Sequence, residues 1–188
     1  MSQFVREEMD FMKILLADDH GLLLEGLKNL IIAHNMEVVG TARDGFEAIH
    51  QARLLKPDVI LMDIRMPRCN GLEATKEIIR DNPDAKIVML TTSTEDDDLF
   101  EAIKCGAYGY LHKSMDADEL VDALEHVQEG ITPFSPGLAA KILREFSRMN
   151  KTNSEPQKTT GRQSSAELEL TEREIEVLSL ISQGYSYK

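Results

Sequence analysis

Two adjacent carboxylates, Asp18 and Asp19, end an apolar run in the stretch "ILLADDHGLLLEG" (14–26). A third, Asp63, ends another apolar run, "DVILMD" (58–63). Like charges repel and resist burial, so a cation is needed to hold several carboxylates together. Oxygen ligands without clustered Cys or His favour a hard ion, and a small number of protein ligands favours Mg²⁺ over Ca²⁺. These residue types therefore predict a Mg²⁺ site.

A carboxylate beside bound Mg²⁺ can also attack phosphorus and form an aspartyl phosphate. Phosphoryl transfer needs neutralisation of the equatorial oxygens, which a cation, an ammonium group and a hydroxyl can supply. Asp63 as nucleophile, with Lys113 and Thr91 beside it, forms such a catalytic set. His20 follows the first acidic pair, but a hard-ion site does not need imidazole, so we interpret His20 as a helix-entry residue.

The elements that must position these residues follow from hydrophobic periodicity. Apolar runs occur at "MKILLAD" (12–18), "MEVVGTA" (36–42), "DVILMD" (58–63), "KIVMLT" (86–91) and "YGYL" (108–111). Between them, apolar residues recur at helical spacing in three stretches, 20–34, 44–56 and 116–129. These residues form an apolar stripe along each predicted helix, and His34 lies on the stripe of the first. Near-continuous apolar strands separated by helices predict an α/β, flavodoxin-like, doubly wound domain with a five-stranded parallel sheet.

Sheets of this kind bind ligands beyond the carboxyl ends of their strands. Those ends carry Asp18 and Asp19, then Asp63, then Thr91, with Lys113 near the last short strand. We therefore expect these side chains to converge on one rim of the sheet.

Several stretches of the sequence resemble a known protein family. "ADDH", "DVILMDIRMPRCNGLEATKEI", "IVMLTT" and "GAYGYLHKSM" resemble the receiver domain of two-component response regulators. "LTEREIEVLSLISQGYS" resembles the opening of a LuxR-type helix-turn-helix, which makes the chain similar to the NarL/FixJ subfamily. The receiver resemblance covers roughly residues 12–130, and the C-terminal resemblance covers about residues 169–187.

The resemblance implies a role for each matching residue. Asp63 would be the phosphoacceptor and a metal ligand, Asp19 a direct Mg²⁺ ligand, and Asp18 a ligand directly or through water. The backbone carbonyl of Arg65 would be the further ligand, which leaves the Arg65 side chain free.

The same resemblance implies a conformational switch next to the acceptor. Lys113 would pair with the phosphoryl group, and Thr91 would turn inward to meet it. Tyr110 matches the aromatic residue that follows Thr91 inward.

The chain after residue 130 differs in composition from the part before it. A helical pattern begins at Ser135 and Pro136, and a polar stretch rich in Ser, Thr, Asn, Gln and Lys follows it. We predict a receiver domain (12–130), a linker helix (131–149), a flexible linker (150–167) and an N-terminal fragment of a LuxR-type helix-turn-helix domain (168–188). Because a recognition helix does not follow within the sequence, we expect DNA binding only through a complete C-terminal domain.

Charge and composition exclude several classes of function. The formal net charge of −12 divides into −13 for residues 1–133 and +1 for residues 134–188, so the first part is a poor nucleic-acid surface. We expect neither a membrane span nor a signal peptide, because the sequence shows no apolar stretch of about 18 residues and no basic-then-apolar opening. Cys69 and Cys105 form no metal or redox spacing and indicate a reducing cytoplasm.

The sequence thus predicts a cytoplasmic response regulator rather than an enzyme with a separate substrate. It would accept a phosphoryl group on Asp63 from a sensor histidine kinase, form a homodimer on phosphorylation, and control transcription through the C-terminal domain. One alternative is a stand-alone receiver that acts through protein contacts without DNA. Two others, a flavin-binding protein and a phosphatase with an Asp nucleophile, share the fold or the chemistry but are disfavoured by the acidic rim and the lack of a cap domain.

Overall fold

The computed structural model describes residues 11–92 and 96–134, without the side chains of residues 96 and 97. Its elements, in chain order, are β1 (Lys13–Ala17), α1 (Gly21–Ala33), β2 (Glu37–Ala42), α2 (Gly45–Leu55), β3 (Val59–Met62), α3 (Gly71–Asp81), β4 (Lys86–Thr91), α4 (Asp96–Lys104), β5 (Gly109–His112) and α5 (Ala117–Gln128). The five strands form one parallel sheet in the order β2-β1-β3-β4-β5. The predicted flavodoxin-like fold is confirmed.

Helices cover both faces of the sheet, and the side chains of the strands alternate between two apolar clusters. In β3, Ile60 and Met62 pack with α2, α3 and α4, whereas Val59 and Leu61 pack with α1 and α5. All four residues of β3 are buried, as expected for a central strand of a doubly covered sheet. This burial fixes the register of the strand, and with it the position of the residue that follows it, Asp63.

The second strand is less buried than its apolar sequence predicts. In β2 only Ala42 is fully buried, because β2 lies at an edge of the sheet and pairs only with β1. Its register shifts by one residue: Ile14 lies opposite Val38, but Leu15 lies opposite Gly40. An apolar run alone does not distinguish an edge strand from a central one.

The buried face of the first helix does not include the predicted His34. Leu24, Leu27 and Ile31 are its buried residues. The placement of His34 on the apolar stripe was wrong, because His34 is the exposed C-terminal cap of α1, and its Nδ1 lies 2.9 Å from the Leu30 carbonyl oxygen. A polar contact with the last turn therefore explains this histidine.

Short polar side chains begin three of the helices at the rim. Asp44, Asn70 and Asp116 accept hydrogen bonds from backbone N–H groups in the first turns of α2, α3 and α5. Asn70 and Asp116 form complete capping boxes with the glutamates three residues later. Helix starts are thereby fixed close to the strand ends.

The described chain continues past α5 along the edge of the sheet. The N–H of Tyr110 donates to the Pro133 carbonyl oxygen at 3.0 Å, and Phe134 forms a bridge beside Tyr110. The predicted helical pattern of 135–149, the linker 150–167 and the segment 168–188 lie outside the described residues.

Candidate functional site

The predicted side chains meet at the carboxyl edge of the sheet. Asp18 follows β1, Asp63 follows β3, Thr91 ends β4 and Lys113 follows β5. Asp18, Asp63 and Thr91 are buried, whereas Asp19 is exposed at the mouth of the site. The backbone supports this arrangement, because the N–H of Asp63 donates to Ala17 O at 2.8 Å and the N–H of Lys113 donates to Thr91 O at 2.7 Å.

Lys113 holds the two buried carboxylates together. Its Nζ lies 2.6 Å from Oδ2 of Asp18 and 3.1 Å from Oδ2 of Asp63, and only 10% of its side chain is exposed. The contact with Asp18 is an ion pair without the alignment of a hydrogen bond, because Asp18 Oδ2 has no hydrogen-bond partner among the described residues. One ammonium group thus balances part of a charge that would otherwise be costly to bury.

The acceptor carboxyl is in an environment that disfavours its charge. Burial raises the pKa of Asp63 above its ordinary value of 3.8, and the charge of Asp18 adds to this increase. The charge and hydrogen bond of Lys113 and a backbone hydrogen bond from Arg65 oppose it without cancelling it. A divalent cation at this point would relieve the same electrostatic cost.

The donor set fits a hard cation. Each of Asp18, Asp19, His20 and Asp63 offers an atom within 4.8 Å of the others. Three of these donors are carboxylate oxygens, which Mg²⁺ prefers, and the exposure of Asp19 leaves room for water ligands. The fit therefore rests on the carboxylates and does not require the imidazole.

His20 has the structural role that its sequence position predicts. It is the N-terminal cap of α1, its side chain is 72% exposed, and its backbone N–H donates to Asp18 Oδ1 at 2.9 Å. Its Nδ1 also lies 2.8 Å from Oδ1 of Asp19. His20 thus helps to orient both carboxylates while it begins the helix.

Gly71 positions the loop that carries Asp63. It is the first residue of α3, and its N–H donates to the Ile64 carbonyl oxygen at 2.9 Å. A Cβ at this position would lie 1.9 Å from the Asp63 carbonyl oxygen, far inside van der Waals contact. Only glycine allows the start of α3 to lie so close to the acceptor backbone.

The side chain of Arg65 is not free, so that expectation was wrong. Its Nη2 lies 3.2 Å from Oδ2 of Asp98 in the first turn of α4. The two residues are 33 positions apart, and no local sequence signal links them.

A second arginine of the same loop was not identified from the sequence. Arg68, in the left-handed region with φ 64°, contacts the buried carboxylate of Asp44, and its Nη2 lies 3.4 Å from Glu47 Oε1. The N–H of Gly45 also donates to the Cys69 carbonyl oxygen at 2.9 Å. The loop after Asp63 is therefore fastened to the start of α2.

Thr91 and Tyr110 lie together in the protein interior, 1% and 2% exposed. Burial raises the pKa of Tyr110 to about 12, with a further increase from Asp98, while the Thr91 side chain and Arg65 lower it. The Tyr110 hydroxyl has no well-formed hydrogen bond among the described residues, although Thr91 is close enough to affect its pKa. The two predicted switch residues are thus neighbours.

His112 supports the segment that carries Lys113, a role that its sequence position does not indicate. Its Nε2 lies 3.1 Å from the Thr92 carbonyl oxygen, and its Nδ1 lies 2.7 Å from Ser114 Oγ. These contacts join the end of β4 to the turn after β5.

A cavity of about 480 Å³ lies away from this site, at the amino ends of the strands. Its walls include Ile60, Ile78 and Ala85, and Arg53 and Asp81 form an ion pair at its edge. It contains none of the predicted site residues.

Comparisons with known proteins agree with the observed fold. The family model of the response regulator receiver domain matches residues 14–125. The chain is 41% identical over 179 residues to the transcriptional regulatory protein LnrK of Bacillus subtilis (strain 168), covering 94% of this chain and 79% of that protein. It is 42% identical over 176 residues to the uncharacterized transcriptional regulatory protein YxjL of the same strain, covering 93% of this chain and 77% of that protein.

A solved structure extends the likeness to the fold. The two-component response regulator of the LuxR family from Aurantimonas sp. SI85-9A1 matches with a TM-score of 0.68 and 35% identity, covering 73% of this chain and 99% of that chain. This chain therefore belongs to the response regulator receiver family, and the resemblance predicted from its sequence is confirmed. Within the described ranges, no helix combines the length and the apolar character needed to cross a membrane.

Proposed function

We propose that this chain is a phosphorylation-controlled response regulator of a two-component system, with Asp63 as its phosphoacceptor. The observation that carries the proposal is the position of the Asp63 carboxylate. It is buried at the carboxyl edge of the sheet, 3.1 Å from Lys113 Nζ, and grouped with two further carboxylates. This geometry combines a nucleophile, an ammonium group and a metal-binding donor set at one point.

The proposed reaction transfers a phosphoryl group from the phosphohistidine of a sensor kinase. An Asp63 carboxylate oxygen attacks phosphorus, so that a P–O bond forms while the P–N bond breaks and its electron pair returns to the imidazole of the kinase. Lys113 and the Thr91 hydroxyl stabilise the negative charge on the equatorial oxygens. Hydrolysis of the aspartyl phosphate resets the site, and no other substrate is required.

Asp18, Asp19 and Asp63, with the backbone carbonyl of Arg65, would hold Mg²⁺. The ion would neutralise charge on the transferring phosphoryl group. The chain's own part is to keep these oxygens within reach of one another, through the strand ends and the Gly71 contact described above.

The names of the relatives support a role in transcription. LnrK and YxjL are both transcriptional regulatory proteins, and the alignments extend beyond the receiver match to more than nine-tenths of this chain. We therefore propose that the receiver (12–130) acts through the linker (131–167) on a LuxR-type helix-turn-helix that begins at residue 168. We also propose that DNA is contacted through that C-terminal domain, that the chain dimerises on phosphorylation, and that it acts in the cytoplasm.

Mass spectrometry after treatment with acetyl phosphate and Mg²⁺ tests the proposal. We expect one phosphoryl group on the peptide that contains Asp63, and none on the corresponding peptide of Asp63→Asn, which keeps the shape of the side chain but loses the nucleophile. Asp58→Asn is a matched control, since it alters an exposed carboxyl at the other end of β3 and should leave phosphorylation intact. A phosphoryl group that persists in Asp63→Asn would refute the assignment.

A further inference from the structure

The loop between β3 and α3, residues 63–70, is tied to two different helices by arginine ion pairs. Arg65 reaches α4, where its Nη2 lies 3.2 Å from Asp98 Oδ2. Arg68 reaches the start of α2, where it contacts Asp44. The two arginine side chains are about equally exposed, at 64% and 62%, but their aspartate partners differ in burial.

The partner of Arg68 is more deeply buried than the partner of Arg65. The Asp44 side chain is 2% exposed and also caps α2 by accepting from the Glu47 N–H at 3.0 Å. Removal of Arg68 would leave a buried carboxylate without its counter-ion, which is costly. Asp98 is 19% exposed and has more access to water, so the Arg65–Asp98 pair can separate at lower cost.

Arg65 lies within reach of a group attached to Asp63. Two successive Cα–Cα steps of 3.8 Å place the Cα atoms of these residues no more than about 7.6 Å apart. A phosphoryl group carries about −1.5 to −2 charges, in place of the single charge of a carboxylate. Guanidinium binds phosphate oxygens in a bidentate manner, so a phosphorylated Asp63 competes with Asp98 for Arg65.

The Arg65–Asp98 pair also lies close to the switch aromatic. Asp98 raises the pKa of Tyr110 and Arg65 lowers it, so both charges act on the buried hydroxyl. The pair therefore connects three parts of the molecule: the acceptor loop, the first turn of α4 and Tyr110 at β5.

We propose that Arg65 is a positioning residue that exchanges partners when Asp63 is phosphorylated. In the unmodified chain it ties the acceptor loop to α4 through Asp98. In the phosphorylated chain it turns to the phosphoryl group and releases α4, while Arg68 keeps the loop fixed on α2. This inference rests on the proposed function, because it requires a phosphoryl group on Asp63.

A double-mutant cycle on the full chain tests the exchange. Arg65→Gln, Asp98→Asn and the double variant are unfolded with urea in Mg²⁺, with and without beryllium trifluoride as a phosphoryl mimic on the Asp63 carboxylate. Arg65→Gln changes the unfolding equilibrium constant by some factor in the wild-type background and by another in the Asp98→Asn background. Without the mimic, we expect these two factors to differ by about 2- to 5-fold. With the mimic bound, we expect that factor to fall to about 1.

The Arg68–Asp44 pair provides a matched control in the same loop. The cycle of Arg68→Gln with Asp44→Asn should give the same coupling with and without the mimic, and Arg68→Lys can replace Arg68→Gln if the latter does not fold. Coupling between residues 65 and 98 that persists with the mimic, or is absent in both states, overturns the exchange. An equal loss of coupling at residues 68 and 44 also overturns it, because the effect would then be general.

Uptake of the mimic separates this inference from the proposed function. If the mimic raises the urea midpoint of the wild-type chain but not that of Asp63→Asn, the acceptor site works, and the two cycles alone decide the exchange. If the mimic does not shift the wild-type midpoint, the proposed function fails, and the partner exchange fails with it.

Discussion

At the scale of single residues, the acceptor carboxyl is placed where its ionisation is costly. Burial raises the pKa of Asp63, and Lys113 compensates only in part. A carboxyl whose pKa is raised in the folded state stabilises the fold below its unfolded pKa of 3.8, and that contribution is lost as the pH rises through the folded value. At neutral pH without metal, the ionised Asp63 therefore works against folding.

The stability of Asp63→Asn in a chelator tests this electrostatic cost. The amide cannot ionise, so we expect its Tm at neutral pH to exceed the wild-type Tm by a few degrees. The difference should shrink as the pH falls toward 3.8, the ordinary pKa of the group. Asp122→Asn, at an exposed position of α5, should change the free energy of unfolding by less than about 0.5 kcal/mol. A lower Tm for Asp63→Asn than for the wild type would contradict the argument.

The Tyr110 hydroxyl is a second residue-scale feature with a measurable consequence. It is buried without a well-formed hydrogen bond among the described residues, so its removal should cost little. We expect Tyr110→Phe to change the free energy of unfolding by no more than about 1 kcal/mol. Tyr110→Ala, which also removes the buried ring, should cost about 3–5 kcal/mol. Urea denaturation distinguishes the two, and an equal loss in both variants would mean that the hydroxyl itself stabilises the fold.

At the scale of elements, the close approach of α3 to the acceptor backbone predicts a strict requirement for glycine. In Gly71→Ala the new methyl group would lie 1.9 Å from the Asp63 carbonyl oxygen, so the helix start or the acceptor loop must move. We expect a loss of at least about 1–3 kcal/mol in the free energy of unfolding, together with slower phosphorylation.

Gly26→Ala is the matched control for this glycine. Gly26 lies inside α1, and a Cβ there would meet nothing within 4 Å. Alanine favours the helix by about 0.5–1 kcal/mol over glycine, so this variant should be more stable than the wild type. Equal effects at the two positions would show that the contact with Asp63 is unimportant.

Five strands and three of the helices could be predicted from periodicity, whereas the exposure of the edge strand could not. Burial of β1, β3 and β4 follows from their apolar runs, but the equally apolar β2 is half-exposed because of its place in the sheet. His34 has the spacing of the apolar stripe of α1, but the same position also suits the residue that caps the end of the helix. Strand order and helix ends depend on contacts distant in sequence, which hydrophobic spacing does not contain.

At the scale of the whole molecule, the convergence of the site could be predicted because it follows from topology. Parallel strands bring their carboxyl ends to one edge, so Asp18, Asp63 and Lys113 meet whatever the details of the helices. The Arg65–Asp98 pair could not be predicted in this way, since it depends on the direction of one long side chain across 33 residues of sequence. An ion pair of this type forms only after folding has brought the two residues together, so the sequence alone does not predict it.

Metal binding should connect the site to the stability of the entire fold. A cation that binds only the folded chain stabilises it by RT ln(1 + [L]/Kd), which is about 1.4 kcal/mol at tenfold excess over Kd. We expect Mg²⁺ to raise the Tm of the wild-type chain and a chelator to reverse the increase.

Asp19→Asn should lose most of the increase, because it removes a donor from the carboxylate group. Asp122→Asn removes the same charge outside that group and should keep the increase, which separates binding at the site from general screening of the charge of −12. An equal Mg²⁺ effect in both variants would place the ion elsewhere, and the buried carboxylates of Asp18 and Asp63 would then rely on the Lys113 ammonium group for neutralisation.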